Sequence, residues 1–318
     1  MSVKISNLEE NLPQFILVMI PTDKKLKLIK TYYYVCDLYE KELKYLCQRF
    51  SNNSYPVFTD QEAITVYLFA MHVENRLKVK HIHQFASDYL RDWFPKLPSY
   101  EAFTIRINRL CDVFRAITQN ILSGFQPLDC DNQTSLIDSM PIITCSGKRS
   151  AKVAKEITDK GYCSTKGIFY FGLKLHALAF FRQGHLPHPE QMLFTEASVS
   201  DLTHLKCNCT NIYNRRFFGD KIYGNKEFWT DMEKYNGSTM LTPIKGIKGQ
   251  TEWEKQHDRA YVDIFSKAVS TVRQPIESLF NWLIEKTDIQ RASKVRSTKG
   301  LLTFVCGRIA AAFIYLIF

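Results

Sequence analysis

Three acidic residues lie in three well-separated segments of the chain: Asp138 in SLIDSMPI, Asp220 in FFGDKIY and Glu277 in VRQPIESLFNWL. Each segment has the pattern of a strand or helix that could bring one carboxylate to a shared site. Hard divalent cations such as Mg²⁺ take oxygen ligands, and two of them about 3.5–4 Å apart stabilise the attacking and leaving oxygens of a phosphoryl displacement. The three acids therefore predict metal-dependent cleavage of phosphodiesters.

The sequence around each of the two aspartates fits a metal-binding role and also a purely structural one. Asp138 lies in an apolar run typical of a buried strand, where an ionised carboxylate is costly unless it is paired or bound to metal. Asp220 follows Phe217, Phe218 and Gly219, and open α/β sheets place their sites at the carboxyl ends of buried strands. The alternatives are an ion pair with an arginine for Asp138 and a turn or helix cap for Asp220.

Glu277 is predicted to lie on a helix, with Arg273 one turn before it on the same face. An exposed Glu–Arg pair on a helix is usually a weak salt bridge. In the functional interpretation Glu277 completes the metal site, while Arg273 holds Glu277 or a substrate phosphate. Pro275 lies between the two residues and predicts a kink or a restart of the helix.

Charge is distributed unevenly along the 318 residues. Residues 1–130 hold 16 basic and 14 acidic side chains, whereas residues 131–318 hold 26 and 18. A basic surplus around the three acids fits a polyanionic substrate, since the positive field attracts phosphate while metal ions neutralise the carboxylates. Solvated surface lysines are the alternative explanation.

Several features predict a soluble, cytoplasmic protein. The nine scattered cysteines lack the dense spacing of a secreted disulfide scaffold, which favours reduced thiols. Charged residues interrupt the amino-terminal segment, so no signal peptide is expected. The apolar run at residues 309–318 is too short for the roughly 20 residues that span a bilayer and is expected to form a buried last helix.

The pattern of apolar residues changes near residue 126. Residues 1–125 read as short helices, with start signals at Thr59 and Ser99. The helix after Ser99 carries Arg106 and Arg109, which predicts a helix-turn-helix-like DNA-binding region, with a helical bundle as the alternative.

Residues 126–318 predict an α/β domain. Three strands form an antiparallel meander, then helices alternate with two further strands, one ending near Asp220. A glycine- and lysine-rich loop is expected at residues 245–250. A long helix carrying Glu277 and a final helix from about Gly300 follow. This is the order of a ribonuclease-H-like fold.

Nearly the whole chain resembles a known family. Residues from about 126 resemble the catalytic domain of DDE transposases from bacterial insertion sequences, and in detail the insertion-sequence 982 family. The matching stretches are LIDSMPI, KGIFYFGLKLHALAFF, EASVSDL, GDKIY and RQPIE.

The resemblance implies a transposase with a ribonuclease-H-like catalytic domain. It would bind the terminal inverted repeats of a mobile element, cut DNA there with Mg²⁺, for which Mn²⁺ would substitute, and join the freed 3′ hydroxyl to target DNA. Asp138, Asp220 and Glu277 would be the catalytic and metal-binding residues. Its partners would be the double-stranded DNA of the element ends and of the target, and it would form a homodimer in the DNA complex. It would lie in the bacterial cytoplasm near the nucleoid and would not bind a membrane.

The last catalytic helix departs from the pattern that related transposases often show. Those enzymes carry Tyr, Arg, Glu and Lys in register along this helix. Arg273 and Glu277 match, but Ser270 stands in place of the Tyr and Ile284 in place of the Lys. Lys286 lies two residues beyond, so the role of the Lys is open.

A basic segment without acidic residues, residues 290–300, is predicted to contact the DNA backbone through Lys294, Arg296 and Lys299, with Arg273 a further contact. Trp253, like Trp229 and Trp282, is expected to pack in the core, with base stacking as the alternative.

Two other functions fit the sequence. One is a catalytically inactive DNA-binding protein derived from a transposase, and the other is a hydrolytic nuclease of the same fold without strand transfer. Retention of all three acids argues against the first, and capture of joined products would separate the second from a transposase.

Overall fold

A computed structural model describes residues 20–49, 56–151, 153–164, 166–244 and 251–318. The expected loop at residues 245–250 and the start of the chain lie outside these residues. The helices are α1 Thr22–Leu38, α2 Lys44–Leu46, α3 Asp60–His72, α4 Val79–Tyr89, α5 Tyr100–Ile107, α6 Cys111–Gly124, α7 Asp201–Asn208, α8 Lys226–Asn236, α9 Glu252–Arg273, α10 Pro275–Thr287 and α11 Thr298–Phe313. The strands are β1 Asp131–Ser146, β2 Asp159–Cys163, β3 Ile168–Phe181, β4 His188–Glu196, β5 Arg216–Phe218 and β6 Thr239–Leu241.

Two helices of the first 125 residues, α3 and α5, start where their capping residues predict. Thr59 and Glu62 form a reciprocal capping box at α3, and the Ser99 hydroxyl accepts a hydrogen bond from the backbone N–H of Ala102 at α5. Such caps satisfy backbone donors that have no partner within the helix. α3 is buried almost throughout its length and is the central helix of this part.

The single helix predicted after Ser99 is wrong. α5 ends at Ile107, and a tight turn precedes α6, in which Leu110 N–H bonds to the Ile107 carbonyl at 3.0 Å. The turn redirects the chain so that both helices bury apolar faces, with Phe103 in α5 and Phe114 in α6 fully buried. The free energy gained by burying both apolar faces therefore outweighs that of continuing one straight helix.

The described strands form one mixed sheet in the order β2-β3-β1-β5-β6, with β4 also paired to β3. β3 is antiparallel to β1, β2 and β4, whereas β5 is parallel to both β1 and β6. The predicted meander of β1, β3 and β4 is confirmed. β2 was not predicted, because its sequence DKGYC has little apolar alternation, and it pairs along the first residues of β3.

One apolar core runs across residue 125. It contains residues of α3 and α6, one face of β1 and β3, and the buried faces of α10 and α11. A smaller cluster on the other face of the sheet is formed with α7 and α8. The boundary between residues 125 and 126 stays a prediction, and the helices on its two sides share a core.

The final apolar segment packs inside the fold. In the described part of the chain, Thr298–Leu316 is long and apolar enough to cross a membrane by length and composition. However, 67% of its apolar window is buried against the rest of the protein. This agrees with the expected buried last helix, which here packs chiefly against α6.

Candidate active site

Asp138 lies in the middle of β1 and faces α10. Its neighbours on the same face of the strand, Leu136 and Met140, are buried in the large core, whereas Ile137 belongs to the cluster on the other face. Asp138 is opposite Ala177 of β3. One carboxylate oxygen accepts a hydrogen bond from the Ser139 N–H at 2.8 Å, and the other faces the helices. Strand alternation therefore directs this acid to the face covered by α10.

Arg273 joins Asp138 to Glu277. One guanidinium nitrogen lies 2.9 Å from Asp138 Oδ2, and another lies 2.5 Å from Glu277 Oε1. Arg273 is the last residue of α9 and Glu277 lies in the first turn of α10, with Pro275 at the first position of the new helix. The predicted restart at Pro275 is confirmed, and two of the three predicted acids meet at one arginine.

Asp220 follows β5, the strand that pairs in parallel with β1 just before Asp138. Leu136 pairs with Phe218, and both side chains pack in the large core, so they lie on the same face of the sheet. Asp138 and Asp220 follow these two residues by two positions each. Asp220 is exposed, and it caps a short 3₁₀ turn by accepting a hydrogen bond from Lys221 N–H at 2.6 Å. Asp220 therefore caps the turn that follows the strand next to Asp138.

Burial makes Asp138 a weaker acid than an ordinary aspartate. It raises the pKa of Asp138 to about 6, and the nearby carboxylates of Glu277 and Asp201 act in the same direction. The Ser139 N–H and the Arg273 guanidinium oppose the shift. The charged carboxylate is therefore only partly compensated, which is a property common to sites that take up a cation.

The donor chemistry fits a hard divalent cation, since carboxylate oxygens are its usual ligands. Within the described residues, no three His, Cys, Asp or Glu side chains are close enough to surround an ion as they stand. The guanidinium of Arg273 is the positive charge between Asp138 and Glu277. Binding of a cation by all three acids would thus require their side chains to turn toward one another and Arg273 to shift.

A polar cluster behind the sheet was missed in the sequence. Asp201 Oδ1, at the start of α7, lies 3.3 Å from Lys174 Nζ and 3.6 Å from His176 Nδ1. The His176 ring stacks on His204 with a centroid distance of 3.8 Å. The buried Tyr223 hydroxyl has no hydrogen-bond partner, and Asp201, Asp138 and Asp220 all raise its pKa, after burial itself. Asp201 was part of the EASVSDL stretch, but an acid after a serine reads as an ordinary start of a helix.

The buried histidines predict loss of stability in weak acid. Burial lowers the pKa of His176 to about 2, and it also lowers that of His204. Below the unfolded value of about 6.5, the unfolded chain binds a proton that the folded chain excludes, so stability falls as the pH decreases. We expect the His176→Gln variant to lose roughly 1 kcal/mol per pH unit of this dependence between pH 6 and pH 5.

Urea unfolding at pH 7.5, 6.0 and 5.0 measures this effect. The matched control is His81→Gln, which removes an exposed histidine and should keep the wild-type pH dependence. An equal pH dependence in wild-type protein and the His176→Gln variant would contradict the prediction.

The family model described as the transposase DDE domain matches residues 129–297, more than half of the chain. The chain belongs to the transposase DDE domain family. The matched residues include the three acids, Arg273 and the whole mixed sheet. No curated protein and no solved structure matched the chain.

Membership in the DDE transposase family confirms the resemblance to DDE transposases, and the assignment to the insertion-sequence 982 family stays a prediction. DDE transposase domains generally use divalent metal ions. Ser270 and Ile284, the two departures, flank the site on α9 and α10. Lys286 Nζ lies 5.2 Å from the ring centroid of Tyr315, in the short 3₁₀ turn that follows α11.

The structure separates the residues predicted to bind DNA. Arg106 turns inward: it lies 3.9 Å from the buried Asp60 and over the ring of Phe58. Arg109 is exposed, as are the three basic residues predicted after α10, Lys294, Arg296 and Lys299. Arg106 therefore has a structural role in holding α5 to the start of α3, and DNA contact by the exposed residues stays a prediction.

Proposed function

We propose that this DDE transposase binds the inverted repeats at the ends of a mobile element, cleaves DNA there and joins the freed 3′ hydroxyl to a target strand. The observation that carries the proposal is that the three acids lie on neighbouring elements: Asp138 on β1, Asp220 just after the adjacent strand β5, and Glu277 on α10, which packs on β1. Two of them share Arg273, and the third follows the neighbouring parallel strand at a matching position.

The strand order supports a ribonuclease-H-like catalytic domain. In the proposed domain, the antiparallel strands β4, β3 and β1 are followed across the sheet by the parallel strands β5 and β6. The acids lie on β1, directly after β5 and on the helix that covers β1. The preceding helices are proposed as the DNA-binding region, with Arg109 among its exposed basic residues.

In this proposal Asp138, Asp220 and Glu277 hold Mg²⁺, with Mn²⁺ as a substitute. The metal would activate the attacking hydroxyl or water and stabilise the leaving 3′ oxygen. Arg273 keeps Asp138 and Glu277 close together while their negative charges are otherwise uncompensated. With a cation bound to the acids, the Arg273 guanidinium would be free to bind a substrate phosphate through two parallel hydrogen bonds.

The proposed partners are the double-stranded DNA of the element ends and of the target. We also propose a homodimer in the DNA complex and a location at the bacterial nucleoid. The basic surplus of residues 131–318 supports an anionic partner.

The proposal is tested on a supercoiled plasmid that carries the coding region with its native flanking DNA. Purified protein with Mg²⁺ should nick this plasmid at the ends of the element and, with labelled target DNA, give covalently joined products. A plasmid without the flanking DNA is the control. Nicking without joined products would identify a hydrolytic nuclease, and binding without nicking would identify an inactive derivative.

A further inference from the structure

The helix that precedes the site has an apolar stripe exposed to solvent. Trp253, Tyr261 and Ile264 of α9 are 72%, 67% and 72% exposed. Only Val269 in this 22-residue helix is fully buried among its described side chains. The expectation that Trp253 packs in the core is therefore wrong.

The stripe is continuous along one side of the helix. At 3.6 residues per turn, its members fall within a sector of about 100°, and no charged side chain lies between them. Val269, which packs against the rest of the protein, lies well outside this sector. The stripe consists of Trp253, His257, Ala260, Tyr261, Ile264 and Ala268. Amphipathic helices of globular proteins normally bury such a stripe, so this one indicates a partner.

The charges of α9 favour a protein partner over DNA. The helix carries four acidic and four basic residues, so it has no positive surplus for phosphate. Arg259 and Asp263 lie 3.7 Å apart in the middle of the helix and neutralise one another.

Residues 252–258, before the Arg259–Asp263 pair, hold three acids and one lysine; residues 264–272, after it, hold Lys267 and no acid. Two copies of α9 packed antiparallel would therefore place an acidic segment beside a basic one at both ends.

The exposed area suits a weak dimer. Aromatic side chains bury roughly 150–250 Å² each, so the three large residues leave on the order of 400 Å² of accessible surface in each copy. Two-fold pairing would cover this area twice, and the side chains beside the stripe would bring the total near ~1,200 Å², the lower limit for specific complexes. A two-fold contact is also the commonest closed arrangement of identical chains.

We infer that the apolar stripe of α9 is a homodimer interface at which two copies pack antiparallel. The helix ends at Arg273, which bridges Asp138 and Glu277, so the interface is continuous with the element that holds the acids. Dimerisation would fix the spacing of two such sites. This inference assigns an interface to the homodimer proposed above, and dimerisation through this interface requires neither DNA nor metal.

Sedimentation velocity of the full-length protein, without DNA or metal, tests the interface. Wild-type protein should show a concentration-dependent dimer. The double variant Tyr261→Lys, Ile264→Lys should weaken association by at least about tenfold, because it places like charges against one another. Lys267→Glu should also weaken association, and added NaCl should strengthen the dimer of this variant while it weakens the wild-type dimer.

The matched control is Leu128→Lys, Tyr235→Lys, which changes two exposed apolar residues outside the stripe and should leave association unchanged. Far-UV circular dichroism and the urea midpoint check that each variant folds. A wild-type monomer at every concentration, or a dimer that the stripe variants leave intact, would overturn the inference. A protein that dimerises through the stripe but does not nick DNA would support the interface and contradict only the proposed function.

Discussion

The Asp138→Asn variant is expected to lose DNA cleavage by at least ~10³-fold while it binds the element ends with nearly wild-type affinity. The substitution keeps the size of the side chain and its ability to accept the hydrogen bond from Ser139. It removes the negative charge that would hold the metal. Loss of several kcal/mol of transition-state stabilisation corresponds to a rate decrease of this size.

The partners of Asp138 separate the chemical effect from a folding effect. Arg273 retains Glu277 when Asp138 is neutral, so the guanidinium is not left without a carboxylate. Burial raises the pKa of Asp138 to about 6, so ionisation of this carboxyl opposes folding and its removal should not destabilise the protein. We therefore expect the urea midpoint of the variant to be equal to or slightly above that of the wild-type protein.

The matched control is Asp131→Asn, the same chemical change at the start of the same strand, where the side chain is not at the site. It should keep full cleavage activity. Cleavage that persists in the Asp138→Asn variant, or that is lost equally in the control, would remove Asp138 from the catalytic assignment.

Local sequence signals predicted the elements that carry the acids because each signal acts over a few residues. Thr59 and Ser99 cap α3 and α5, and Pro275 opens α10, all as expected. β1, which carries Asp138, and β5, which precedes Asp220, were predicted from apolar runs. The relation of Asp220 to Asp138 depends on the parallel pairing of β1 and β5, and that of Glu277 to Asp138 depends on the path of α10; neither is encoded within one segment.

What the sequence did not predict has a common physical origin in long-range packing. Arg106 was predicted to contact DNA, and in the fold it lies 3.9 Å from Asp60, 46 positions earlier in the chain. His176 and Asp201 lie in unrelated segments and meet only because β3 passes beneath α7. Trp253 shows the opposite case, since a large aromatic residue usually packs in a core and here remains on the surface.

Neutralising Lys294, Arg296 and Lys299 together to Gln is expected to weaken DNA binding strongly. All three are exposed, and the segment they belong to is fixed to the sheet, because Ile143 N–H bonds to the Gln290 carbonyl and Ala292 N–H bonds to the Ile143 carbonyl. Ile143 lies five residues beyond Asp138 on β1, roughly 16 Å along the strand. A DNA backbone held at the acids would reach the basic segment within about five nucleotides.

Three lost phosphate contacts should reduce the slope of log K against log salt by roughly 2.7 and lower affinity at 100 mM salt by more than ~10-fold. Fluorescence anisotropy with a labelled end fragment at 50 to 300 mM NaCl measures both values. The control is Lys206→Gln, Lys226→Gln, Lys234→Gln, which removes the same charge from exposed positions on α7 and α8. Because those helices pack on the opposite face of the sheet from α10, the control should retain most of its affinity and its salt slope. Equal losses in both triple variants would show that net charge, and not the segment beside β1, determines binding.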